Sequence, residues 1–181
     1  MIETPFNFEP NLLPEEYQKL GQLSLRWSHI EHVIGNCLKV MLRLSEDEAI
    51  VIVFPASLEL RLRKMKELAE INELNPDAQR AHDEIQLVMK GIQYVRNNVV
   101  HAVVIPETDG EHTFHLRSKK RSLTKEQIFS TEELTNYAAH AALSLRYALG
   151  HKQLAPGARY PLPDRPEIPK FLRELIPTHK K

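Results

Sequence analysis

The stretch Arg96-Asn97-Asn98-Val99-Val100-His101 closes the longest apolar ladder in the chain and sets four polar side chains on it. Upstream, Ala81, Ile85, Val88, Ile92, Val95 and Val99 recur at intervals of four, three, four, three and four, continuing into Ala102 or Val103. That spacing draws one buried stripe along an α-helix. At about 100° per residue, positions 97 and 101 share a face and positions 98 and 101 nearly do. Arg96 projects beside that pair, so the cluster flanks the stripe where polar groups can meet solvent, a ligand or another helix. Asn75-Pro76-Asp77 is a helix start signal, and the spacing predicts this helix over 76–103.

Working outward, Pro14-Glu15-Glu16 suits a helix first turn, and Leu20, Leu23, Trp27, Ile30, Ile34, Cys37 or Leu38, Met41 and Leu44 follow at helical spacing, predicting a helix over 14–43. Gly21 and Gly35 within it suggest close approach of another element. Ser45-Glu46-Asp47-Glu48 has capping-box form and opens a short helix to about 53, although Ile50-Val51-Ile52-Val53-Phe54 also reads as a strand. Leu58, Leu62, Met65 and Leu68 or Ala69 predict a third helix over 57–72. After His101, two short extended pieces, 103–105 and 112–116, flank an Asp109-Gly110 turn and predict a small β-hairpin or irregular loop. Thr124-Lys125-Glu126-Gln127 and Ser130-Thr131-Glu132-Glu133 both have capping-box form; the second opens a helix over 131–149 that Gly150 stops. The expected architecture is an all-α helical bundle with that small β insertion. It divides into an extended arm over 1–13, a helical domain over 14–152 and a Pro-rich tail over 153–181. Six prolines between 156 and 177 exclude regular structure there, except a helical turn over 169–175, and Ile168, Phe171 and Leu172 are its anchors to the body or to another subunit.

Composition narrows the function classes. With 24 basic and 24 acidic residues, the chain lacks the footprint of a dedicated nucleic-acid coat, while a small local RNA site stays open. The single cysteine, Cys37, has no intramolecular disulfide partner and fits a reducing cytoplasm. Neither a signal peptide nor a membrane span is expected. No Gly-rich phosphate loop is present, and no cofactor is implied.

The Arg96, Asn97 and His101 pattern, an Arg with a polar follower and a His after four intervening residues late in a long helix, resembles the motif of the HEPN superfamily. The first helix, with Trp27 and Glu31, fits that context, and the resemblance spans the helical part of the chain. It implies a metal-independent endoribonuclease whose two motifs meet across a homodimer. It also implies a toxin or phage-defence setting, with an antitoxin or other protein partner. Chemically the residues suit RNA cleavage. A His with an ordinary pKa near 6.5 moves the proton of a 2′-hydroxyl or of the leaving oxygen. A permanently charged guanidinium holds the phosphate, and the Asn97 amide orients one or the other. The competing reading gives Arg96 a surface ion pair and makes His101 a cap on its own helix. A non-catalytic nucleotide- or RNA-binding dimer, or a protein-interaction module, is the functional alternative.

Supporting residues follow. Glu31 on the first helix is expected to orient Arg96 or His101, and Asn98 flanks the motif. Tyr94 stacks on a base or lies at the core edge. The run Arg117, Lys119, Lys120, Arg121 holds an RNA backbone or is a solvated loop. His29 and His32 have the spacing of two metal ligands but lack a third, so no metal site is assigned.

Overall fold

The computed structural model describes residues 12–106, 112–116, 122–150 and 160–176; for 101–106, 112–116 and 122 it describes the backbone alone. Residues 1–11 of the arm expected over 1–13, the turn at 109–110 and the basic run over 117–121 lie outside the described residues. Helix α1 runs Pro14–Leu42, α2 Glu46–Ile52, α3 Leu58–Ile71, α4 Pro76–His101, α5 Lys125–Phe129 and α6 Glu132–Ala148. Helix α6 lies against both α1 and α4, and these three long helices make the centre of the bundle, with α3 resting on α1 and α4. The α4 ladder is its spine: Ala81, Ile85, Val88, Ile92 and Val95 are buried, and Val99 is half-buried beside them.

The expected bundle with a β insertion is present, and the insertion is larger than a hairpin. Strand β1, Ala102–Pro106, pairs antiparallel with β2, His112–Leu116, and β2 pairs with β3, Ser122–Thr124. Helix α4 therefore ends at His101 rather than 103, because Ala102 pairs with Leu116 and Val103 with His115. Ladder hydrogen bonds take the backbone groups that another helical turn would have used.

The β-branched run at 50–52 is helical. Ser45 and Glu48 close a full capping box, with Ser45 N–H and Oγ–H both donating to the Glu48 carboxylate at 2.8 Å. The expected box at Thr124 also forms with Gln127, whereas the one at Ser130 does not. Ser130 Oγ donates to Gln127 O at 2.8 Å and Thr131 Oγ1 to Ile128 O at 2.6 Å, so these hydroxyls satisfy the end of α5 instead of the start of α6. Gly150 stops α6 with a φ of 77°, in the left-handed region that glycine adopts without a Cβ clash.

Gly35 marks a close approach, as expected: a Cβ there would meet the Phe54 ring at 2.7 Å. Gly21 faces open space. Gly91, unremarked in the sequence, lies under the tail, where a Cβ would sit 2.3 Å from Ile176 Cδ1. The described part of the tail packs on its own chain. A 3-10 turn over Lys170–Leu172 sets Ile168, Leu172 and Ile176 into the core. No helix among the described residues is long and apolar enough to cross a membrane.

Candidate functional site

Arg96 rises from the last turns of α4 toward α1. Its guanidinium carbon lies 5.8 Å from the centre of the Trp27 ring, within cation–π range. Its Nη1 donates to Asn97 Oδ1 at 3.2 Å. Trp27 is itself buried at 4% exposure, so one face of the guanidinium rests on a fixed wall. The charge is held by the core and by its neighbour on the helix, while the side chain stays half-exposed. His101 is the final residue of this same helix, which puts its backbone one turn beyond Asn97; its side chain lies outside the described residues. Val100 is apolar and 49% exposed at that end of α4.

Asn98 departs from the open face. It is fully buried, and its Nδ2 donates to Tyr94 O at 2.8 Å, while Oδ1 is buried without a partner. It braces the helix interior. Tyr94 is half-buried against the core, the edge-of-core position. Glu31 stands beside another arginine. Its carbonyl accepts from Arg61 Nη1 at 3.0 Å, and its carboxylate raises the Arg61 pKa against the stronger lowering by burial. His32 meets Asn36 across 2.9 Å and stacks on Phe54 at 5.8 Å, while His29 is exposed. No cluster of three metal-ligating side chains occurs among the described residues. Arg117, Lys119, Lys120 and Arg121 lie outside the described residues.

Two features escaped sequence reasoning. The Trp27–Arg96 contact joins two helices far apart in the chain, and no local pattern announces it. The second is a cleft of about 520 Å³ between α6 and the proline-rich segment at 160–166, bordered by Tyr137, His140 and Tyr160. The spacing of Tyr137, His140 and Tyr147 along α6 is its one sequence signal.

Comparison with protein-family models, with curated proteins and with solved structures finds no match to this chain.

Proposed function

We propose that this chain is a HEPN-like, metal-independent endoribonuclease working as a cytoplasmic homodimer. The observation that carries the reading is the pre-set Arg96: a guanidinium resting on Trp27, tied to Asn97, on the helix that His101 ends. A fixed cation of this kind loses little freedom when it receives a phosphate. The half-exposed Val100 beside it supports a second copy at this face. In the reaction, one His101 takes the proton of a ribose 2′-hydroxyl. The 2′-oxygen attacks phosphorus, and the other His101 protonates the departing 5′-oxygen. The products are a 2′,3′-cyclic phosphate and a 5′-hydroxyl. Arg96 stabilises the charge on the phosphorane oxygens, and Asn97 orients Arg96 through its carbonyl oxygen. A toxin or defence role, with a protein antitoxin, is the setting that the resemblance supplies.

The test is cleavage of single-stranded RNA in the presence of a chelator. His101→Ala is expected to slow it by about 10²- to 10⁴-fold, with folding and RNA binding retained. Wild-type rates in that variant sink the nuclease reading. The zero net charge gives RNA no general attraction, and the second reading is a dimer that binds nucleotide or RNA locally, or a protein, without turnover. RNA binding by the wild-type chain with no cyclic-phosphate product selects it.

A further inference from the structure

The cleft beside α6 is walled on its other side by the strap over 160–166. Pro161, Pro163 and Pro166 hold the strap extended. At one end Tyr160 is wedged between two rings of α6, 5.6 Å from His140 at 21° and 5.1 Å from Tyr147 at 28°, with its hydroxyl 3.1 Å from His140 Nδ1. At the other, Arg165 pairs with Glu84 of α4 at 3.1 Å, and Glu84 also bonds the Tyr137 hydroxyl. Between these clamps lies the 520 Å³ cleft, a size at which ligand side chains are received.

The described residues of its lining carry one sign of charge. Glu133 and Asp164 are exposed carboxylates at the cleft, and neither has an ion-pair partner among the described residues. Among the described residues no lysine or arginine lines it, and Arg165, next to Asp164, is turned to Glu84. The remaining walls are Asn136, the Tyr137, His140 and Tyr160 rings and proline. Carboxylates above aromatic and apolar walls match a cation that is flat, weakly hydrated and carried on an apolar stem. A guanidinium fits better than an ammonium. It stacks on rings and meets carboxylates through paired N–H groups, whereas an ammonium is a compact, strongly hydrated point charge. Phosphate-bearing ligands meet two repelling charges.

We propose that this cleft is a docking site for a polypeptide partner, which inserts an arginine side chain between the strap and α6. The site is separate from Arg96 and His101 and stands whether or not the chain cleaves RNA.

The experiment is a titration of the full chain at low salt with the blocked tripeptide acetyl-Gly-Arg-Gly-amide, followed by amide NMR. The citrulline tripeptide serves as the neutral isostere and the lysine tripeptide as the point-charge control. Saturable binding is expected, with shifts concentrated at 133–140 and 160–166. Citrulline is expected to bind at least about tenfold more weakly. The Glu133→Gln/Asp164→Asn variant, changed only at exposed positions, is expected to keep its melting temperature and lose about the same factor for the arginine peptide. Equal binding of citrulline, full affinity in the double variant, or no saturation below about 10 mM overturns the proposal. A lysine peptide that binds as tightly overturns the assignment to arginine, and an RNA oligonucleotide that shifts the same amides overturns the assignment to a polypeptide.

Discussion

At the scale of single residues, Arg61 exchanges solvent for three backbone carbonyls. Its Nε donates to Ala56 O at 2.9 Å, Nη1 to Glu31 O at 3.0 Å and Nη2 to Phe54 O at 2.7 Å. The turn after α2 is thereby stitched to α1, and burial lowers the arginine's pKa without removing its charge at neutral pH. Hydrogen bonds to a charged group contribute about 1.5–3 kcal/mol each, and their loss leaves carbonyls unpaired. Arg61→Ala is therefore expected to cost about 3 kcal/mol in urea denaturation; a loss below about 0.5 kcal/mol would contradict this role. Cys37 supplies a pH prediction. Its thiol is fully buried, and burial pushes its pKa from 9.0 up to about 12, against a smaller lowering by Arg146. In the unfolded chain the thiol ionises near 9, while in the folded chain it keeps its proton. The stability this adds is complete below pH 9 and is lost as pH rises toward 12, at about 1.4 kcal/mol per pH unit. Urea denaturation at pH 8, 9 and 10 should give a falling stability that Cys37→Ala flattens. Tyr137, whose pKa burial also raises, adds a loss of the same sign as pH reaches 10, so the difference between the wild-type chain and Cys37→Ala isolates the thiol.

At the scale of elements, Gly91 decides where the tail goes. A methyl group there would overlap Ile176 Cδ1 at 2.3 Å and Cγ1 at 2.8 Å. Ala would be the better helix former by about 1 kcal/mol, so destabilisation by Gly91→Ala would report the contact rather than propensity. A net cost of about 1 kcal/mol or more is expected, since overpacking costs about 1–3 kcal/mol. Part of it should return in the Gly91→Ala/Ile176→Ala pair relative to additivity. Additive single effects would show that the tail does not press on α4. Helix α2 illustrates a different balance. Ile50, Val51 and Ile52 are all more than half exposed, so their branched side chains gain little from burial. The Ser45–Glu48 cap and the anchors Ala49 and Val53 choose the helix. The chain carried both signals side by side, and local propensity alone does not rank them.

At the scale of the molecule, the strap and tail complete the core. Ile168, Leu172 and Ile176 are buried in it, and each such side chain contributes about 1.5–3 kcal/mol. A chain ending at residue 159 should therefore melt well below the full chain, or fail to fold cooperatively. A truncation that melts unchanged would mean that the segment only rests on the surface. The charge balance acts at this scale too. The chain has no net field to draw in RNA, so a nuclease reading depends on one local, pre-set arginine.

The helices were legible because each carries its own period. The α4 ladder, the Pro14 start, the Ser45 cap and the Gly150 stop are short-range patterns set by 3.6 residues per turn and by unpaired groups at helix ends. The motif was legible for the same reason, being a spacing on one helix. Contacts between helices carry no such period. Trp27 beneath Arg96, the Glu31 carbonyl bonded to Arg61 and Asn98 drawn into the interior each depend on which helices become neighbours and at what rotation. The third strand needed β2 to pair with, and the cleft needed the strap over 160–166 to come alongside α6. Patterning along the chain chose the elements; close packing among distant segments chose the site, because side chains of different helices meet only once the core has set their relative positions.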